Sequence, residues 1–240
     1  MIERAEDSQL AALRAFTLLT ALRSHCPGGL ILACGLEPRG AALMIAGNIA
    51  GACCLAIEER AEVTRATLRS GASDFVVNSV DEALRVLKNE VRQGRPLSVG
   101  LTMAVEPALT ELLERGVLPE VFTAFDRVHA TAVSWAAMEF AAMGTQVVNM
   151  DEGAVELGGA MDGPGLLARL LFDRQWGLES FRFESGEELR AFDARLLERL
   201  PAGDVRRRWC AGAARFFHRE RPYRRVMYLT AKERDAVVGA

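Results

Sequence analysis

What this chain of 240 residues lacks narrows its function before any motif is read. No apolar run approaches the roughly 20 residues that a membrane-spanning helix needs. The nearest candidate, residues 10–22, is broken by Arg14 and is amphipathic. There is no excess of basic charge: the formal net charge is −3, which predicts no general affinity for nucleic acid or for anionic membranes. Five cysteines, Cys26, Cys34, Cys53, Cys54 and Cys210, contain no CxxC pair, so neither a disulfide framework nor a metal site is expected. The opening MIERAEDSQ carries acids and lacks the basic start and apolar run of a secretory signal, which points to the cytoplasm. Internal repeats and low-complexity tracts are missing as well. What remains is an ordinary globular composition, 50% hydrophobic and 25% charged, large enough for one domain with an appendage.

The apolar pattern along residues 28–58, GGLILACGLEPRGAALMIAGNIAGACCLAIE, supplies the organising unit. Residues 30–34 are a short unbroken apolar run, 35–40 a loop, 41–52 a stretch of small helix-tolerant residues, and 54–57 a second apolar run ending at the acid Glu58. That order predicts a βαβ unit. The alternation then continues. Helices are expected at 61–69, 81–93, 105–115 and 129–143, and strands at 74–77, 97–101, 121–125 and 146–150. Gly71, Gly94 and Gly116 close helices, and Ser79 caps one. Asp7 or Ser8 starts an earlier helix running to about His25. Short strands without polar alternation, joined by helices over short loops, specify a doubly wound, mainly parallel Rossmann-like α/β sheet covered on both faces. Residues 1–150 form this domain with its N-terminal helix.

From Asp151 the texture changes, and residues 151–240 read as an α-rich C-terminal appendage that packs on the sheet domain or on a second subunit. Turn formers crowd Glu152-Gly, Gly158-Gly159 and Asp162-Gly-Pro-Gly165, which predicts an irregular connection. Helices follow at 166–172, 187–199 and 204–217, with short strands at 180–183 and 225–229. The segment from Arg206 to Arg225 mixes arginine with Trp209, Phe216 and Phe217. These are residue types that also hold phosphates and stack on bases. The expected arrangement instead buries the aromatics and pairs the arginines with the acidic helix 187–198.

The loop and helix at residues 35–51, ending Ala46-Gly-Asn-Ile-Ala-Gly51, resemble the nucleotide-binding middle of urocanase (urocanate hydratase). The similarity continues through Glu58, Gly71, Asp74, Ser98-Val-Gly100, Glu111-Leu-Leu-Glu-Arg-Gly-Val117, Pro119 and His129, and covers roughly residues 28–130. The resemblance implies a Rossmann-like fold, and a family chemistry in which tightly bound NAD acts as the electrophile while water is added to urocanate. It also implies that Gly35, Gly40, Glu58 and His129 lie on the cofactor side, with Glu58 accepting ribose hydroxyls about twenty residues beyond the loop. At the functional positions the chain departs from the family. A GLGGMSGAQ-type loop is here Gly35-Leu-Glu-Pro-Arg-Gly-Ala-Ala-Leu43. Pro38 removes a backbone donor, and Glu37 adds a charge that repels phosphate. Met103-Ala104 stands where the family has Gly-Asn, and Ala124-Phe-Asp-Arg127 where it has Asp-Gln-Thr-Ser.

Gly35, Arg39, Gly40, Glu58 and His129 are therefore the candidate binding residues. Arg39 could grip phosphate in place of the lost backbone donors or pair with Glu37. Glu58 could be an ordinary solvated acid, His129 a helix-start residue, and Asp126-Arg127 a local pair. His25 and His218 lack acidic partners, and Cys34, Cys53 and Cys54 read as packing. Two functions follow. One is a binding module for a nucleotide or other small molecule, without hydratase chemistry and forming a homo-oligomer. The other is an enzyme in the same cleft, an NAD-dependent hydratase or a successor to one.

Overall fold

A computed structural model describes residues 7–22, 28–125, 127–150, 155 and 157–238. The expectations placed on Cys26, His25, Asp126, Asp151 and Glu152 lie outside them. The chain opens with helix α1 (Ser8–Leu22), whose first turn is held by Asp7 Oδ1 accepting from the Leu10 N–H at 3.0 Å. Strand β1 (Leu30–Cys34), helix α2 (Pro38–Ile49) and strand β2 (Cys53–Glu58) make the expected βαβ unit. The α2 helix starts at Pro38, three residues before the predicted start, because a proline suits the first helical position, where its missing N–H has no partner to lose. Then come α3 (Ala61–Ser70), β3 (Phe75–Val77), α4 (Val80–Gln93), β4 (Leu97–Thr102), α5 (Val105–Glu114), β5 (Val121–Ala124), α6 (Ala130–Ala142) and β6 (Gln146–Asn149).

The region after residue 150 carries two elements that the sequence did not announce. Strand β7 (Met161–Asp162) pairs in parallel with β6, so the turn-rich span feeds the sheet. Its Asp162 then caps α7 (Gly163–Asp173) by accepting from the Gly165 N–H at 3.1 Å. Strand β8 (Gly177–Phe183), helices α8 (Gly186–Arg199) and α9 (Val205–Phe217), and strand β9 (Tyr223–Leu229) follow, with β8 and β9 pairing antiparallel. The second unannounced element is the closing helix α10 (Ala231–Val238). Its start is fixed by Thr230 and Glu233, which bond to one another through side chain and backbone.

The large sheet has the order β3-β4-β2-β1-β5-β6-β7, with every pairing parallel. Its order turns back at β1, which lies between β2 and β5, so the topological switch point falls there. Alternate residues on each strand feed two apolar cores. Ile31, Ala33, Cys54 and Ala56 face α1 and α2, whereas Leu30, Leu32, Cys53, Leu55 and Ile57 face α4, α5 and α6. Both cores are apolar, which is why the strands read as continuous hydrophobic runs. This is a Rossmann-like α/β fold.

The C-terminal segment joins the first of these cores. Trp209 is fully buried, its ring 5.6 Å from that of Phe16 on α1, and its indole N–H donates to the Val226 carbonyl at 2.9 Å. Gln9 of α1, also fully buried, accepts from the Val226 N–H at 2.7 Å, and Arg208 donates to the Ala50 carbonyl at the end of α2. The segment therefore seats on α1 and α2 of its own chain. One of its arginines pairs with the acidic helix 187–198 as expected, and others find partners elsewhere. Arg206 pairs with Asp204 and Glu233, Arg224 with Asp7 and Glu220, and the buried Arg225 with Asp193 of α8. Among the described residues no helix is long and apolar enough to cross a membrane.

Candidate functional site

Ligands of open α/β sheets bind beyond the carboxyl ends of the strands, at the switch point. Here that is the space above β1, flanked by the loops after β1, β2 and β5. Gly35 begins the first loop with φ 92°, a conformation that L side chains rarely adopt, and its N–H donates to the Ile57 carbonyl at 2.8 Å. The next turn presses directly on it. A Cβ at Gly40 would lie 2.0 Å from the Gly35 carbonyl oxygen, and one at Gly47 would lie 2.2 Å from Cys54 Sγ. Both glycines therefore let α2 approach the sheet, a packing role that needs no ligand.

Glu58, at the end of β2, is only 4% exposed, so it is not a solvated acid. Its Oε2 accepts from the Leu36 N–H at 3.2 Å, and its Oε1 accepts from the Arg60 N–H at 3.1 Å. The Arg60 guanidinium spans both oxygens, at 2.8 Å through Nε and 3.0 Å through Nη2, and its Nη1 donates to Glu37 Oε1 at 2.6 Å. Burial pushes the Glu58 carboxyl up, but the guanidinium and the two backbone donors outweigh it and hold the group below the usual carboxylate range. The partner of Glu37 is thus Arg60, where the sequence had suggested Arg39. Glu37, Arg60 and Glu58 tie the first loop to the end of β2.

His129 stands at the start of α6, across the switch point. Its Nε2 lies 3.2 Å from Glu59 Oε1, so the loop after β5 meets the loop after β2. Gly35, Gly40 and Glu58 are brought together around the end of β1, and His129 closes the far side through Glu59. Arg39 is set apart from them. It lines a cavity of about 450 Å³ that borders the first turn of α2, next to Phe125 after β5 and Met150 after β6. The other walls come from α1, α7, Leu178 of β8 and Tyr228 of β9.

Sequence reasoning missed Arg60, Arg14 and Tyr228. Arg60 follows two acids at a strand end and carried no motif, although a cation two residues from a candidate ribose acid is a signal in itself. Arg14 was visible as the charge that interrupts an apolar helix. That it lines the same cavity as Tyr228, 214 positions later, depends on the docking of the C-terminal segment. The cysteines are packing residues, as expected: Cys34, Cys53, Cys54 and Cys210 are all buried.

Other residues that carry the likeness are occupied with the frame. Asn48 of α2 donates to Asp74 at 3.3 Å, the same carboxylate accepts from the Ser98 N–H at 2.9 Å, and the Ser98 hydroxyl donates to the Met44 carbonyl. A Cβ on Gly100 would crowd Leu36 at 3.3 Å. Asn48, Asp74, Ser98 and Gly100 thus brace α2, β4 and the first loop against one another. The chain matches the family model described as the urocanase Rossmann-like domain over residues 13–150, which is more than half of its length and runs from α1 to the end of β6. The chain belongs to the urocanase family.

Proposed function

We propose that this chain is a small-ligand-binding member of the urocanase family that has set aside NAD and the hydratase reaction. The observation that carries the proposal is the occupation of Glu58. A dinucleotide's ribose asks for a carboxylate at this position with acceptors to spare, and its pyrophosphate asks for backbone N–H groups at the first turn of α2. Both Glu58 oxygens are instead engaged by Arg60, and one also by the Leu36 N–H. Pro38 offers no N–H, and the Glu37 carboxylate stands at the mouth of the turn. The residues present do not fit the cofactor.

A second reading, an NAD-dependent hydratase, is favoured by one observation. Gly35, Gly40 and Gly47 keep the close approach of α2 to the sheet that the family's cofactor loop also requires. The two readings separate cleanly in the purified protein. Mass spectrometry of the denatured sample is expected to find no dinucleotide at stoichiometric loading, and urocanate absorbance is expected to persist on incubation. One NAD per chain, or loss of urocanate absorbance, would overturn the proposal.

A further inference from the structure

The C-terminal segment seats on α1 and α2, whereas α4, α5 and α6 pack on the opposite face of the sheet, out of its reach. A helix in such an outer layer buries one side and shows water a polar one. Two of the three obey. Every exposed residue of α4 is polar, Asp81, Arg85, Lys88 and Arg92 among them, and on α5 exposure falls on Glu106, Pro107 and Glu114. Helix α6 does not. Its inner side, Val133, Ala136, Ala137 and Phe140, is buried as expected, yet its outer side leaves Trp135 38% and Met138 59% exposed. Its one charged residue is Glu139. A helix that is apolar all round belongs between two packed surfaces.

The outer side has a pattern. Thr131, Trp135, Met138 and Ala142 follow one another at intervals of four, three and four residues, the heptad spacing that lets one helix lie along another. The large side chains stand in the middle of this stripe and the small ones at its ends. In an antiparallel pair related by a twofold axis level with residues 136 and 137, each Trp135 meets the partner's Met138, and each Thr131 meets the partner's Ala142. The centre is then filled twice by an indole on a thioether, and the small ends let the helices close on one another. Glu139 lies beside the stripe, where it stays in water. A face with so little charge has nothing to offer a charged partner, and its large and small positions complement a copy of itself.

The size is adequate. Leu118, 55% exposed, and Met143, 42% exposed, extend the apolar surface past the end of α6, where the Thr145 hydroxyl holds the Pro119 carbonyl at 2.8 Å. With Trp135 and Met138 they offer on the order of 400 Å², as much as the largest patch of a typical monomer. Symmetry doubles this to about 800 Å², and a polar rim brings it to the neighbourhood of about 1,000 Å² that a specific interface needs.

We propose that α6 is the docking surface for a second copy of this chain, in an isologous antiparallel helix pair centred on Trp135 and Met138. The assignment is independent of what the switch-point space binds.

Sedimentation equilibrium of the full chain over about 1–200 μM tests it. The mass should rise from 26.2 kDa to twice that value, with a Kd in the micromolar range. Met138→Glu and Trp135→Lys should each raise the Kd about a hundredfold, since a central aromatic carries much of such an interface. Lys88→Glu, on the outer side of α4, should leave it unchanged, and circular dichroism confirms that each variant is folded. Mixing is the sharper test. In a heterodimer of Met138→Glu with Trp135→Lys, one central contact is native and the other is an ion pair, so the mixture should associate although neither variant does so alone. A native chain that stays monomeric at about 200 μM, a Kd unmoved in both folded α6 variants, or a mixture no more associated than its components would overturn the proposal.

Discussion

Two spaces lie side by side at the carboxyl edge of the sheet, and they have been treated in opposite ways. The switch-point space above β1 is crossed by charge pairs, Glu37–Arg60–Glu58 on one side and Glu59–His129 on the other. The neighbouring cavity, lined by Phe125, Met150 and Leu167 together with Arg14 and Arg39, encloses about 450 Å³. The first is made wholly by loops of the family domain, the second by that domain and the C-terminal segment together. The comparison teaches that a Rossmann-like frame can keep its glycines and strand order while an added segment builds a second space beside its own.

The most damaging way to break the comparison acts on the added segment. Trp209→Ala removes a fully buried indole that touches α1 and closes a hydrogen bond to Val226, and should cost about 3–5 kcal/mol in urea unfolding. It should also open the cavity wall to which Leu178 and Tyr228 contribute, since the segment loses its seat. A variant with unchanged stability would contradict the shared core. On the other side, Gly40→Ala should cost about 3 kcal/mol, because its Cβ would meet the Gly35 carbonyl oxygen at 2.0 Å and force α2 away from β1. Wild-type stability in that variant would show that the loop is looser than its glycines imply.

A smaller effect is expected from pH. Hydrogen bonds from Arg206 hold the Glu233 carboxyl down at about 2, against an ordinary 4.5, while burial opposes them. A folded-state value below the unfolded one means that acid protonates the unfolded chain first. The stabilisation is complete above about pH 4.5 and is lost as pH falls towards 2. It should amount to about 1–3 kcal/mol. The urea midpoint of the native chain should therefore fall more steeply than that of Glu233→Gln between about pH 5 and about pH 3. Parallel curves would remove the Arg206–Glu233 pair from the docking of α10. The least effect concerns Cys210, whose thiol is pushed up to about 12 by burial and then by Asp193. Iodoacetamide at about pH 8 should label Cys210 only as the chain unfolds, and prompt labelling of the folded protein would show an open segment.

The sheet was legible because its strands, buried on both faces, are unbroken apolar runs. Residues 30–34 were read with the bounds that β1 has, and the other strands of the family domain to within a residue or two. The strand β7 was hidden in turn formers because Gly163 and Pro164 serve the start of α7. The closing α10 lacked a clear apolar face. The site was less legible for a different reason. Gly35, Gly40, Asn48, Asp74, Ser98 and Gly100 mark the family strongly, yet in this chain they pack or brace the frame, so a strong likeness spoke of fold. Arg60 decides what happens to Glu58, and the docked C-terminal segment brings Tyr228 to the cavity that Arg14 lines. Each of these pairings is created by folding, with no spacing in the sequence to announce it.

The account turns on whether the ion-paired loop excludes a dinucleotide. The most direct measurement is a calorimetric titration of NAD into the native chain and into a variant carrying Glu37→Gly, Pro38→Gly and Arg60→Ala. The account predicts no binding to the native chain tighter than about 1 mM, with affinity gained in the variant as the loop donors and Glu58 are released. Native binding in the micromolar range, lost or unchanged in the variant, would contradict it.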